Sequence, residues 1–86
     1  RVGLVDQVVP NGTALEGAQA VASVLASRPP LAVAAAKRLL DEGRHLPLED
    51  GLQLERDTVA ALFDTEDRVE GIAAFVEKRT ARFSGR

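Results

Sequence analysis

The residues with the clearest chemical meaning stand near the end of the chain. Gly71, Ala74, Phe75 and Lys78 follow helical spacing, which places them on one side of a predicted helix. Lysine binds phosphate as a point charge, and an aromatic ring beside it can meet the ring of a ligand. The plain alternative is a solvated helix end, where cations complement the helix dipole, and this accounts for Arg79. Lys78 is therefore the candidate phosphate contact.

Catalytic and metal-binding patterns are missing from the sequence. The only histidine, His45, stands in a predicted loop, and there is no cysteine, so we predict no metal site. The phosphate-binding glycine motifs and the nucleophile and zinc-protease motifs do not occur either. Acid pairs such as Glu49 and Asp50 lie near helix ends, where capping explains them. We therefore assign no catalytic residue to the chain.

One acidic residue interrupts an otherwise apolar helical stripe. Glu55 falls among apolar residues that recur at about 100° per residue. The members of this stripe are Leu48, Leu52, Val59 and Phe63. A carboxylate there is costly unless it is paired. We predict a structural salt bridge from Glu55 to Arg38 or Arg68, in preference to a catalytic role.

Composition excludes several classes of partner. The 86 residues carry 11 basic and 13 acidic side chains, and the only aromatic residues are three phenylalanines, so a nucleic-acid surface is not expected. The longest uncharged run, 17–27, is too short to span a membrane, and no secretory signal pattern opens the chain. We expect a cytoplasmic protein. A chain this short buries little core, and it begins abruptly at Arg1, so we expect a piece of a longer protein.

The pattern predicts a short strand followed by helices. Val2–Val9 is rich in β-branched residues and ends at a turn signal, Pro10–Gly12, so it is predicted to be a strand or extended arm. Its partner would lie outside this chain. Thr13 and Glu16 fit a capping box that starts a first helix ending near Ser27.

Three more helices are predicted from proline, glycine and capping signals. Pro29 and Pro30 start a helix over 31–42, which Gly43 closes in left-handed geometry. Pro47 opens a third helix that reaches about Phe63. The sequence 64–67 caps a fourth helix, from about 66 to 79.

An ordered set of motifs resembles one family over nearly the whole chain. The motifs are Gly3–Asp6 with Val8–Val9, Pro30 with Ala36–Lys37 and Leu39–Leu40, Gly51–Leu52 with Leu54–Glu55, Leu62–Phe63 with Thr65, and Asp67–Gly71 with Ala74–Phe75, Glu77–Arg79 and Phe83. Their order and spacing resemble the C-terminal segment of the enoyl-CoA hydratase/isomerase, or crotonase, family.

The resemblance implies a fold class and a function. It implies a mostly all-α, four-helix segment detached from a β-β-α spiral core, with residues 1–12 as an arm or strand of that core. Residues 13–86 would be the helical segment that mediates trimer or hexamer formation and covers the CoA moiety of an acyl-CoA. The longer parent would be the enzyme, with the CoA thioester as substrate and no other cofactor, and this segment alone would be inactive.

The resemblance also implies two ligand contacts. Lys78, in the Glu-Lys-Arg motif, would approach a CoA phosphate, and Phe63 would line the cover over the ligand. Some members carry another aromatic one turn before that phenylalanine, where this chain has Val59, so a stacking role at that position is not assigned.

Two other functions compete with this interpretation. A free-standing acyl-CoA-binding bundle has a similar length, but such modules use several tyrosines and lysines, whereas this chain has no tyrosine and only Lys37 and Lys78. A helical protein-interaction module without a ligand is the second alternative. It predicts that Lys78→Ala leaves every function intact.

Overall fold

The chain folds as four α-helices. The computed structural model describes residues 2–86. The helices are α1 (Ala14–Ala26), α2 (Pro30–Gly43), α3 (Leu48–Leu62) and α4 (Glu66–Glu77). The predicted all-α class is confirmed for these residues.

Local signals set most helix boundaries. Pro30 occupies the first turn of α2, where its missing N–H costs no intrahelical hydrogen bond. Pro47 immediately precedes α3. The Thr65 hydroxyl accepts a hydrogen bond from the Arg68 backbone N–H at 3.2 Å, so the predicted cap of α4 is confirmed.

Two predicted caps are wrong. The Thr13 side chain makes no capping hydrogen bond, because its hydroxyl donates instead to the Pro10 carbonyl at 2.6 Å. That bond belongs to the turn at Asn11–Gly12, where Gly12 has φ +83°. Gly43 is still helical, and the residue after it, Arg44, has right-handed φ −63°. The end of α2 therefore needs no left-handed glycine.

The N-terminal segment forms no strand within residues 2–9. A strand needs a neighbour to accept and donate its backbone hydrogen bonds, and the described part of the chain offers none. Most of the segment is exposed, but Val9 lies against α1, because a β-carbon added at Gly17 would be 3.1 Å from its Cγ1. Arg1, which the predicted arm includes, lies outside the described residues.

The main helix–helix contact joins α2 to α3. Thr58 of α3 is 6% exposed, and its hydroxyl donates to the Leu54 carbonyl at 2.7 Å. The same oxygen accepts a hydrogen bond from Arg38 of α2 at 3.3 Å. The two helices also approach closely at Gly51 of α3, where an added β-carbon would be 3.6 Å from the Gly43 carbonyl oxygen of α2. A polar link and a small residue thus fix this helix pair.

Apolar surface remains largely uncovered. The chain has a radius of gyration of 16.3 Å and measures 44 × 40 × 18 Å, whereas a compact chain of this length has a radius near 12 Å. Its accessible surface is 7345 Å², compared with about 4,900 Å² for a compact monomer of this mass. Ala74 is the only buried apolar residue among those described. The helices form a layer rather than a closed core.

The predicted apolar stripe of α3 belongs to this uncovered surface. Leu48, Leu52, Val59 and Phe63 are all exposed. Glu55 is exposed with them and makes no ion pair within residues 2–86. The predicted salt bridge is therefore wrong. Arg38 donates a hydrogen bond to Thr58 and pairs with Glu42, and Arg68 donates to the Phe63 carbonyl. Water can solvate Glu55 where it lies.

Replacing Thr58 with valine should weaken the α2–α3 pair. Valine matches the shape of threonine but removes the hydroxyl that links Leu54 and Arg38, so we expect a loss of about 1 kcal/mol in the free energy of unfolding. Urea denaturation measures this loss. Thr80→Val is the matched control, because Thr80 is exposed. Equal effects of the two substitutions would contradict the assigned role.

Candidate functional site

Lys78 occupies a strained backbone position at the end of α4. It has φ 55° and ψ 45°, the left-handed region, which costs a residue with a β-carbon about 1–2 kcal/mol. The Lys78 N–H donates to the Phe75 carbonyl at 3.3 Å and the Arg79 N–H to the Ala74 carbonyl at 3.0 Å. These two bonds form a Schellman motif, in which glycine usually occupies the position that Lys78 takes here. A lysine there is an outlier of the kind found at functional sites.

The next residue, Arg79, is held by two carboxylates. Its guanidinium pairs with Glu70 of α4, and its Nε lies 2.5 Å from a carboxylate oxygen of Glu77. The hydrogen bond from Arg79 lowers the pKa of Glu70. The helix dipole alone therefore does not account for Arg79. Lys78 makes no ion pair with any residue from 2 to 86, so its ammonium group is available to an anion.

Phe63 lies at the other end of α4, directly after α3. Its ring is 56% exposed. The Arg68 guanidinium carbon lies 5.4 Å from the ring centroid, a cation–π distance. Arg68 Nε also donates to the Phe63 carbonyl at 2.7 Å. The backbone and ring of Phe63 are thus both fixed by one arginine, which adds positive charge beside the aromatic surface.

A concave pocket of about 280 Å³ opens beside the Phe63 ring. It lies between the start of α2, the end of α3 and the start of α4, and its walls are mostly apolar. The lining includes Leu31, Ala32, Val59, Leu62, Ile72 and Phe83. Volume and lining approach those of small-molecule pockets, which are concave and mainly apolar with a few polar groups.

The structure does not bring the two predicted site residues together. Phe63 precedes α4 and Lys78 follows it, and the 12 residues of this helix span about 18 Å. Lys78 does not line the pocket. The helical side predicted to carry Gly71, Phe75 and Lys78 is also divided. Phe75 is 85% exposed, whereas Gly71 is covered by Phe83, whose Cε1 would lie 3.4 Å from an added β-carbon.

Asp67 ties the C-terminal residues to the start of α4. It is 2% exposed. Its carboxylate accepts hydrogen bonds from the backbone N–H groups of Ser84 at 2.7 Å and Gly85 at 2.8 Å. The Ser84 hydroxyl adds a third at 3.3 Å, and the Asp67 N–H donates to the Arg86 carbonyl at 2.9 Å. These bonds, led by that from the Ser84 amide, hold the pKa of Asp67 below its usual value despite burial.

Sequence reasoning missed Asp67 and Arg68 as site residues. Asp67 was predicted as part of the capping sequence 64–67 and of the Asp67–Gly71 motif, and its partners lie 17 and 18 residues further along. Arg68 was considered as a member of that motif and as a partner for Glu55. The five-residue spacing of Arg68 from Phe63 crosses a turn, so helical periodicity gave no signal for the contact.

The comparison with known sequences identifies the family. The family model for enoyl-CoA hydratase/isomerase matches residues 1–86. The 2,3-dehydroadipyl-CoA hydratase of Escherichia coli is 45% identical over 86 residues, which are 100% of this chain and 34% of that protein. The (E)-benzylidenesuccinyl-CoA hydratase of Thauera aromatica is 40% identical over 85 residues, 99% of this chain and 33% of that protein.

Solved structures agree with the sequence comparison. Enoyl-CoA hydratase from Bacillus anthracis superposes with a TM-score of 0.93 at 40% identity, covering 98% of this chain and 33% of that one. Enoyl-CoA hydratase from Mycobacterium tuberculosis gives 0.91 at 34% identity, again over 98% and 33%. The chain belongs to the enoyl-CoA hydratase/isomerase family and spans about a third of the length of the relatives it matches.

No helix within 2–86 is long and apolar enough to cross a membrane. No group of three or more metal-ligating side chains in that range is close enough to hold an ion.

Replacing Lys78 with glycine should stabilise the fold. Glycine adopts positive φ without the steric cost of a β-carbon, so we expect a gain of about 1 kcal/mol in the free energy of unfolding. Lys78→Ala is the matched variant, since it also removes the ammonium group but keeps the β-carbon, and it should change stability little. Urea denaturation compares the two. A gain with alanine equal to that with glycine would contradict a backbone cause.

Acid should release the C-terminal residues from Asp67. Because its pKa is lower in the folded chain, the ionised carboxylate stabilises the docked tail at and above the usual Asp pKa, about 3.9. That stabilisation disappears as the pH falls through the lowered pKa. We expect the NMR shifts of the Ser84 and Gly85 amides to titrate below pH 3.9, and Asp67→Asn to abolish this titration. A midpoint above the usual value would refute the assignment.

Proposed function

We propose that this chain is the C-terminal assembly and CoA-covering segment of an enoyl-CoA hydratase/isomerase-like enzyme, without catalytic activity of its own. Family membership over residues 1–86 and the third of the relatives' length that the chain spans support this division of labour. Chemistry at the thioester falls to the part of the longer relatives that this chain does not match.

The observation that carries the assembly role is the uncovered apolar surface. The chain exposes roughly half as much surface again as a compact monomer of 9.1 kDa. The excess, on the order of 2,400 Å² for this one chain, exceeds the roughly 800 Å² that each partner buries in a standard interface. Large exposed apolar patches mark interaction sites. A layer about 18 Å thick is suited to lie between other elements of the parent and neighbouring subunits of a trimer or hexamer.

The ligand role rests on two cationic and aromatic positions. Lys78 follows α4 in a Schellman turn, and its ammonium group makes no ion pair within residues 2–86, whereas Arg79 is occupied by Glu70 and Glu77. In this role Lys78 binds a phosphate of CoA as a point charge. Phe63, held by Arg68, covers an apolar or ring portion. Their separation, on the order of 18 Å along α4, suits an extended ligand that contacts both ends of the helix.

Lysine substitutions in the natural-length protein test the ligand role. Lys78→Ala and Lys78→Gly should each weaken CoA binding about tenfold, because each removes one charge-assisted contact, although only the glycine variant should gain stability. Titration calorimetry with CoA measures the affinity. Lys37→Ala is the matched control, since Lys37 is exposed and pairs only with Asp41 at 3.1 Å. Unchanged affinity in both Lys78 variants would favour a protein-interaction module instead.

Activity and mass of the isolated chain test the division of labour. We expect residues 1–86 alone to hydrate no enoyl-CoA at a rate above the buffer control. Hydratase activity from these residues would refute the proposal. Micromolar acyl-CoA binding by a monomer of this chain, seen by sedimentation and calorimetry, would favour a free-standing acyl-CoA-binding bundle.

A further inference from the structure

The last four residues form a short segment, here called the C-terminal strap (83–86), that crosses the start of α4. Asp67 holds it through three hydrogen bonds to the carboxylate and one from its own backbone N–H to the Arg86 carbonyl. Because both the side chain and the backbone of Asp67 bond to the strap, they fix its position and its direction. Gly85, at φ +79°, lets the chain turn there, where an added β-carbon would be 3.8 Å from Pro30.

The strap carries one wall of the pocket beside Phe63. Phe83 lines that pocket and packs on Gly71, where an added β-carbon would be 3.4 Å from the ring. The strap also reaches the start of α2 at Pro30. Its two neighbours, the starts of α2 and α4, are themselves parts of the pocket wall. The pocket is therefore closed on this side only while the strap is docked.

We infer that Asp67 is a positioning residue for the ligand-covering pocket, acting through the strap. This inference rests on the proposed function, because it assigns the pocket at Phe63 to CoA or its acyl group. Asp67 also lines the pocket, but it is only 2% exposed and its carboxylate is engaged by the Ser84 and Gly85 amides. Its carboxylate fixes the amides of Ser84 and Gly85, those amides fix Phe83, and the Phe83 ring gives the pocket its wall.

Loss of the carboxylate has a defined structural consequence. Without it, the part-buried Ser84 and Gly85 N–H groups lose their acceptor, and a donor that water reaches poorly is costly to leave without a partner. Undocking lets water take these donors, but it removes the Phe83 ring from Gly71 and opens the pocket. Ligand contacts at the wall are lost, whereas Lys78 at the far end of α4 keeps its place in the Schellman turn.

The test is a double-mutant cycle in the natural-length protein with CoA as the probe. The variants are Asp67→Ala, a chain that ends at Arg82, and the two changes combined. Each single change should weaken CoA binding about fivefold, the loss expected for one aromatic contact, and the combination should weaken it no further. Additive losses would overturn the inference, because Asp67 would then act without the strap. Asp64→Asn, an exposed acid one turn earlier, is the control and should bind CoA like the unchanged protein.

A conservative variant separates positioning from general stability. Asp67→Asn keeps the size of the side chain and one acceptor oxygen, but its amide hydrogens oppose one of the two backbone donors. We expect intermediate CoA affinity together with a thermal midpoint close to that of the unchanged protein. If the affinity of the asparagine variant only followed its loss of stability, the role of Asp67 would be structural alone.

A labelling experiment without CoA keeps this inference distinct from the proposed function. A cysteine introduced at Ala32, which is half-buried and lines the pocket, should react with a maleimide about fivefold faster once Asp67→Ala undocks the strap. A cysteine at Ala18 on α1, remote from the pocket, should react at an unchanged rate. Peptide mass mapping locates the label. An unchanged rate at position 32 would overturn the role of Asp67 in docking the strap, even if Lys78→Ala had weakened CoA binding. A faster rate would support that role even if Lys78→Ala had left CoA binding unchanged.

Discussion

Apolar surface that the four helices cannot bury against one another is the constraint on which the rest of the structure depends. Only α2 and α3 make an extensive contact, and its centre is a threonine hydroxyl linked to an arginine rather than a packed aliphatic cluster. Burial of apolar area is the main force that holds a domain together. A chain with one buried apolar residue among those described therefore draws little stability from a core of its own, and its exposed faces are suited to pack against other protein.

Polar contacts compensate for the missing core at the end of the chain. Asp67 binds the C-terminal strap, and Arg79 binds Glu70 and Glu77. Exposed ion pairs contribute little to stability by themselves. The carboxylate of Asp67, in contrast, is buried and accepts hydrogen bonds from the Ser84 and Gly85 amides. Among residues 2–86 these contacts leave the Lys78 ammonium without an ion pair, and at the opposite end of α4 Phe63 stays 56% exposed beside Arg68. The same network that orders the chain thus decides which side chains remain available to a ligand.

Sequence reasoning predicted the parts of the fold that depend on near neighbours. The four helices, the first turn of α2 at Pro30 and the Thr65 cap each follow from a few adjacent residues. Local signals could not predict whether residues 2–9 pair as a strand, because a strand depends on a neighbouring strand that is distant in sequence. The salt bridge of Glu55 was wrong for a related reason: it assumed that the apolar stripe of α3 is buried within this chain, and the stripe is exposed.

The site was predictable only where it rests on local spacing or a motif. Lys78 was chosen from its helical face with Gly71 and Phe75 and from its place in Glu-Lys-Arg, but nothing local indicated its left-handed backbone, since lysine has no preference for it. The contacts from Asp67 to Ser84 and from Phe83 to Gly71 join residues far apart in sequence. Such contacts arise from the path of the tail across α4, which periodicity does not encode.

Hydrogen exchange of the natural-length protein with and without CoA tests the central claim most directly. The account predicts that CoA slows amide exchange at both ends of α4, in the peptides that contain Phe63 and Lys78, while peptides from α1 exchange as before. Protection confined to the remainder of the protein, with residues 60–86 unchanged, would contradict a CoA-covering role for this chain.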